Sequence, residues 1–252
     1  MSKKTFVIGD IHGDSAALDA VLAKLPPRTA DDTVVFLGDY VDRGPDSRGV
    51  LARVQRLASE GPAKVVALRG NHEDAWVQSY FDAPNVGFLL PHPNGAGATY
   101  RSLLSLPPLG PDGLENKELA AMLDVKKWFP AEVAGWMQAL PTWFEDEHAI
   151  YVHAGLDGEG VEWKHPRDGR TPQLLWMRER DFYQGYNGKR LVFGHTVTET
   201  LPTDHMNDHE LALDVPGDVW IRGDLVGLDT GCGKGGYLSA LELPAMRTYD
   251  SR

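Results

Sequence analysis

Five short apolar runs in this chain each stop at a glycine that sits beside an oxygen or imidazole donor, and this pattern constrains the fold more than any other. The runs are "TFVIG" (5–9), "TVVFLG" (33–38), "KVVALRG" (64–70), "AIYVHAG" (149–155) and "RLVFGH" (190–195). Two more, "LVGLDTG" (225–231) and "YLSALEL" (237–243), share their composition. Continuous apolar runs of this length, enriched in β-branched residues, read as strands covered on both faces. Between the first three lie helical patterns. "DSAALDAVLAKL" (14–25) offers Asp14 and Ser15 as caps, and "PDSRGVLARVQRLAS" (45–59) opens with Pro45, Asp46 and Ser47, all suited to a first turn. A βαβαβ order over the first 70 residues implies parallel strands with helices on the faces.

Residues 74–148 break this alternation. Their aromatic and Pro/Gly-punctuated stretches predict a mostly helical insertion, cap-like over one end of the sheet, in which Trp128, Trp136 and Trp143 are packing residues. A second irregular stretch, 204–220, reads as a loop or β-excursion. At 252 residues the chain suits one sizeable catalytic domain, 1–252, carrying that insertion.

Composition excludes several classes. With 42% hydrophobic and 24% charged residues the chain can bury a real core. The balance of 36 acidic to 25 basic residues gives a formal charge of −11, and no Lys/Arg run suggests a nucleic-acid or membrane partner. Such a surface repels anionic substrates, so a phosphorylated one would need a local positive site. Cys232 is the only cysteine, which rules out an internal disulfide and points to a reducing compartment. The N-terminal "MSKKTFVIGD" lacks the apolar length of a signal peptide, and no stretch reaches membrane-spanning length, so a cytoplasmic location is expected.

The strand ends carry the chemistry. "GDIHGD" supplies Asp10 and His12, "GDYVDRG" supplies Asp39, Asp42 and Arg43, and "RGNHE" supplies Arg69, Asn71 and His72. "VHAG" adds His153 and "FGHT" adds His195. In open α/β sheets the carboxyl ends of strands line the ligand crevice. A lone Gly-Asp is ordinarily a turn, and a lone His153 or His195 is ordinarily a hydrogen-bonded core or loop residue. Five strand exits all ending in metal-competent donors are improbable as capping alone. His92, His148, His165, His205 and His209 lack such a context and read as solvated. Nitrogen and oxygen donors without thiolate point to Mn, Fe or Zn. Six protein groups are too many for one catalytic ion and suit two ions roughly 3.5–4 Å apart that share a carboxylate.

In this order, "GDIHG", "GDYVDRG", "LRGNHE", "HAG" and "GH" resemble the metallophosphoesterase signature in its phosphoprotein phosphatase form, over residues 6 to about 231. The resemblance implies a four-layer α/β/β/α sandwich with two central mixed sheets. It implies two divalent ions, manganese ahead of iron or zinc. Asp10, His12 and Asp39 would hold one, and Asp39, Asn71, His153 and His195 the other. A hydroxide bridging the ions would attack phosphorus directly, His72 would protonate the leaving group, and Asp42 would orient His72. Arg43 and Asn71 would contact the phosphate, together with a second arginine after the HAG motif, Arg178 ahead of Arg180. Asp229 would orient a ligand or its loop, Arg69 would pair with an acidic neighbour, and Glu73 would favour the first turn of a helix.

The short C-terminal segment "LDTGCGKGGYLSALEL" resembles bacterial-type serine/threonine phosphatases, some relatives of which take phosphotyrosine or small phosphoesters. A sister branch hydrolyses diadenosine tetraphosphate symmetrically, and "RGPDS" resembles its motif. Asp42 and Glu73 favour the phosphomonoesterases, acting on phosphoprotein or small phosphoesters, with the dinucleoside polyphosphate hydrolase as the alternative.

Overall fold

Side chains along a strand alternate between its two faces, so a run without polar residues must be dry on both. In the computed structural model, which describes residues 3–110, 113–159, 162–203 and 218–252, the first runs form β1 (Thr5–Ile8), β2 (Thr33–Phe36) and β3 (Lys64–Ala67), with α1 (Ser15–Lys24) and α2 (Ser47–Glu60) between them. Helices α3 (Asn71–Phe81), α4 (Val86–Leu89), α5 (Ala96–Leu103), α6 (Asn116–Leu123), α7 (Val125–Trp128) and α8 (Ala131–Ala139) follow. Next come β4 (Trp143–Glu145), β5 (Ile150–Val152), a small ribbon of β6 (Gly158–Glu159) and β7 (Glu162–Trp163), and helices α9 (Thr171–Trp176) and α10 (Arg180–Gly185). Strands β8 (Leu191–Phe193), β9 (Trp220–Arg222), β10 (Leu225–Gly227), β11 (Ser239–Leu243) and β12 (Arg247–Asp250) complete the described elements.

Two five-stranded mixed sheets result, in the orders β12-β11-β1-β2-β3 and β4-β5-β8-β10-β9. In the first, β1, β2 and β3 are parallel, and Ile8, Phe36 and Ala67 lie side by side. In the second, β5, β8 and β10 are parallel, with Tyr151 beside Val192 and Gly227 beside Phe193. Each register brings its parallel strands to an end together, so the polar loops leave each sheet at a common edge.

Alternation sets the layers. Val7, Val35, Tyr151, Val192 and Val226 meet in one dry cluster between the sheets. Phe6, Ile8 and Phe36, pointing the other way, pack with Leu18, Val50 and the helices after β3. Val152, Leu191 and Phe193 pack with Leu174 and Phe182 of α9 and α10. The layers are therefore α/β/β/α, as the resemblance implies.

Both early helices are capped as their sequences suggest: Asp14 accepts from Ala17 N at 2.9 Å and Asp46 from Gly49 N at 2.9 Å. β3 departs from expectation. It is an edge strand and only half-buried, with Lys64 exposed. The helices after residue 81 pack as part of the first sheet's outer core, where Trp76 stacks on Phe129 at 5.2 Å and Trp128 stands edge-on to Trp76 at 5.4 Å. Trp136 packs on Tyr40 and Trp143 lies edge-on to His165. Cys232 is buried with its thiol on Ile11 O, and burial pushes that thiol up to about 12. Most of the 204–220 stretch lies outside the described residues, and its last residue begins β9. Among the described residues no helix is long and apolar enough to cross a membrane.

Candidate metal centre

The loops that follow β1, β2, β3, β5 and β8 do bring their donors together. Asp39 stands at the middle. Its Oδ2 lies 3.5 Å from His12 Nε2 and 3.8 Å from His72 Nε2, while its Oδ1 lies 3.4 Å from His153 Nε2. Two groups able to hold a cation, His12/Asp39/His72 and Asp39/His153/His195, therefore share this carboxylate, and every member is buried. Asn71 Oδ1 is 2.8 Å from His153 Nε2 and 2.9 Å from His195 Nδ1. Asp10 belongs to neither group of three; its Oδ2 accepts from His195 N at 2.9 Å, and its Oδ1 is buried without a partner.

The backbone accepts strain to do this. His12, Asp39, Asp42, Arg43 and His195 all have positive φ, between 47° and 71°, a region that costs a non-glycine residue about 1–3 kcal/mol. Glycine provides the clearance. A Cβ on Gly194 would sit 2.0 Å from Asp10 Oδ1, and one on Gly70 would sit 2.2 Å from Asp39 Oδ1.

Protonation favours ligation. Burial holds His12 and His195 well below the usual histidine range, and His153 below it, so these rings are neutral with lone pairs available. His12 Nδ1 donates to Val41 O at 3.1 Å and His153 Nδ1 to Leu37 O at 2.9 Å, which turns each Nε2 lone pair toward Asp39. Burial opposes the Asp39 charge, but its attraction to the surrounding imidazoles when these carry a proton, His153 foremost, holds its carboxyl well below the carboxylate range. Burial raises Asp10 well above that range, aided by the charges of Asp229 and Asp39.

The donor set fits divalent cations. Asp10 Oδ1 is an orphaned buried oxygen. With Nδ1 of His153 engaged as donor, its Nε2 and Asn71 Oδ1 face each other as two acceptors at 2.8 Å, an arrangement that a shared cation relieves.

Around this centre, His72 Nδ1 lies 2.7 Å from Asp42 Oδ2. Arg43 places Nη1 against His12 Nε2 and donates Nε to Pro93 O at 3.2 Å. Arg178 donates Nε to His195 Nε2 at 3.0 Å and Nη2 to His195 O at 3.3 Å. A cleft of about 370 Å³ is lined by Arg43, Arg178, Asp39, Asn71, His72 and His195. Arg180 does not line it and instead begins α10.

Phe88, edge-on to His72 at 4.8 Å, and Trp176, edge-on to His195 at 6.0 Å, give the cleft an aromatic wall. Sequence reasoning missed both, because neither lies in a strand-end motif. Asp229 accepts from Gly231 N at 3.1 Å and Lys234 Nζ at 2.8 Å, fixing its own loop. Arg69 pairs with Asp74 at 3.2 Å. His165 is not solvated as expected: it is half-buried and 2.9 Å from Glu145. His148 is likewise half-buried, on Lys3 O at 3.1 Å, whereas His92 is exposed and His205 and His209 lie outside the described residues.

Comparison with known proteins agrees with the geometry. The calcineurin-like phosphoesterase profile matches residues 3–227. The chain is 30% identical over 285 aligned residues to the symmetrical bis(5'-nucleosyl)-tetraphosphatase of Paracidovorax citrulli, covering 95% of this chain and 92% of that protein. It is 38% identical over 201 residues to serine/threonine-protein phosphatase 1 of Salmonella typhimurium, covering 77% and 79% of the two chains. A protein serine/threonine phosphatase structure from Saccharomyces cerevisiae superposes with a TM-score of 0.55 at 17% identity, over 98% of this chain and 77% of that one. With two cation-competent groups sharing Asp39 at the sheet edges, the chain is a phosphoester hydrolase and belongs to the calcineurin-like phosphoesterases.

Proposed function

We propose that this protein, as one catalytic domain over 1–252 with the 74–148 segment as its cap-like insertion, hydrolyses phosphomonoesters of proteins or small molecules in the manner of the phosphoprotein phosphatases. The observation that carries the reading is the position of Asp39, one carboxylate oxygen turned to His12 and the other to His153. Asp10, His12 and Asp39 would hold one divalent ion, and Asp39, Asn71, His153 and His195 the other. The nitrogen and oxygen donor set suits manganese, iron or zinc, and the family resemblance puts manganese first. The chemistry such a pair supplies when bound is polarisation of phosphoryl oxygens and generation of hydroxide from water near neutral pH.

The chain's own residues then divide the work. Arg43, beside His12, and Arg178, beside His195, both line the cleft and would fork onto phosphate oxygens, where planar guanidinium outperforms ammonium. They also supply the local positive charge that a −11 surface withholds from an anionic substrate. Asn71 would add a contact to phosphate. His72, held through Nδ1 by Asp42, presents Nε2 to the cleft and would give its proton to the departing oxygen. The lone buried cysteine fits a cytoplasmic protein.

A second reading, a symmetrical dinucleoside polyphosphate hydrolase, draws on the Paracidovorax relative, which aligns over most of both chains. Turnover of a phosphoserine peptide, p-nitrophenyl phosphate and diadenosine tetraphosphate by the manganese-loaded protein separates the two. Monoester turnover at least about 10-fold above that of the dinucleotide, a difference of ~1.4 kcal/mol in barrier, is expected, and the reverse order selects the second reading. Asp39→Asn should lose both ions and nearly all activity with every substrate. Full metal occupancy in that variant, read by elemental analysis, would contradict the shared carboxylate.

A further inference from the structure

We propose that Thr99, on α5, is a positioning residue for the proton donor, acting through Asp42 on His72. The inference rests on the acid role given to His72 above. Thr99 is fully buried and far in sequence from every strand-end motif. Its Oγ1 donates to Asp42 Oδ1 at 2.6 Å and accepts from Asp42 N at 2.8 Å. Trp76 Nε1 donates to the same Oδ1 at 3.0 Å. Asp42 Oδ1 is thus taken up twice, which leaves Oδ2 for His72 Nδ1 at 2.7 Å.

Proton accounting makes the arrangement directional. A threonine hydroxyl has one proton, and Asp42 Oδ1 can only accept it. Thr99 Oγ1 must therefore accept from Asp42 N, and the neighbouring Ser47 Oγ, 3.0 Å away, can act toward it only as donor. Asp42 itself has φ of 71°, and a residue held there needs more than one restraint. The Thr99 hydroxyl restrains its backbone and its carboxylate at once. Imidazolium at His72 would pass its Nε2 proton to the leaving oxygen as the phosphorus–oxygen bond breaks, leaving a neutral ring that solvent reprotonates. If Asp42 can swing, Nε2 loses its aim at that oxygen, and hydrogen bonds of this kind tolerate little misalignment. The helices after β3 are thus part of the proton-donor machinery as well as packing.

Thr99→Val keeps the shape and removes the hydroxyl, and Thr99→Ser restores it. In the manganese-loaded protein, Thr99→Val should slow hydrolysis of a phosphoserine peptide, whose alkoxide must be protonated, by about 10-fold or more. Hydrolysis of p-nitrophenyl phosphate, whose leaving group needs little help, should change by less than about 3-fold, and metal content should be unchanged. Thr99→Ser should recover the peptide rate. Should Thr99→Val fail to fold, Trp76→Phe, which removes the other donor to Asp42 Oδ1, should show the same selectivity.

A second readout needs no turnover. The downfield proton NMR signal of His72 Nδ1–H in the metal-free protein, identified by its loss in His72→Asn, should move upfield in Thr99→Val and return in Thr99→Ser. An unmoved signal, or equal slowing of both substrates, overturns the inference. His72→Asn serves as the control. Leaving-group selectivity there but not in Thr99→Val overturns the inference alone, whereas its absence in His72→Asn removes the acid role itself.

Discussion

Glu73 shows how one buried side chain can hold three backbone amides in two separate loops. Its Oε2 accepts from Asp39 N at 2.8 Å and Gly70 N at 2.9 Å, and its Oε1 accepts from Tyr40 N at 2.8 Å. Asp39 sits at positive φ, so these bonds hold the carboxylate between the two histidine groups. The sequence suggests only a favourable first turn for Glu73. Its larger role is invisible there because two of the three amides it serves belong to a loop more than 30 residues earlier. Glu73→Ala should destabilise the metal-free protein by roughly 3 kcal/mol, since each orphaned buried donor costs about 1–3 kcal/mol. Glu73→Gln should also destabilise, because its amide nitrogen must face at least one backbone donor. Urea denaturation of the three proteins tests this, and a stable Gln variant would mean that the two oxygens are not both needed.

Between elements, the decisive contacts run from backbone to backbone. Gly44, closing the loop after β2, donates its N to His12 O at 2.8 Å, and a Cβ there would stand 2.3 Å from that oxygen and 2.7 Å from Gly13 C. No rotamer change can relieve a clash with main chain. Gly44→Ala should therefore push the second strand's loop off the first, costing about 1–3 kcal/mol as overpacking does. Metal affinity should fall with stability, because His12 and Arg43 flank the contact. Isothermal titration with manganese beside thermal unfolding checks both, and a variant unaltered in each would show that the loops separate freely. The same contrast marks what the sequence reveals. All seven apolar runs are strands, and in all but the half-buried β3 the dry faces account for the run of apolar residues. The edge strands β4, β9 and β12 escape notice, being mixed in composition and only partly buried. The candidate ligands Asp39, His153 and His195 are legible because each follows a strand. Thr99, in "GAGATY", is not legible, since it reaches the site through helix packing that no local spacing encodes.

Across the whole molecule, carboxylates move stability in opposite directions with pH, even within the centre, where Asp39 is held low and Asp10 is raised. At the centre, burial raises Asp10 well above the usual range, so acid relieves a penalty there. At the periphery, Asp157 is gripped by Arg170, whose Nη2 meets Oδ1 at 2.8 Å and Nε meets Oδ2 at 3.0 Å; this pairing holds its carboxyl well below the usual range. A group whose pKa is lower folded than unfolded adds stability above its unfolded value, and that contribution drains as pH falls through this value toward the folded one. For Asp157 the loss should therefore begin near pH 4, the ordinary aspartate value being about 3.9, and continue below it. Lys189 and His165 hold Glu145 down in the same manner, and Lys4 holds Glu242 down against its burial, so both should add to the decline. Comparing chelator-treated Asp157→Asn with the parent isolates the peripheral pair, because both proteins share Asp10 and neither has metal to lose. The variant should melt lower at pH 7, and its melting temperature should then fall less steeply between pH 5 and pH 3. Parallel curves for the two proteins would mean that the Asp157–Arg170 pair contributes nothing to the acid dependence of folding.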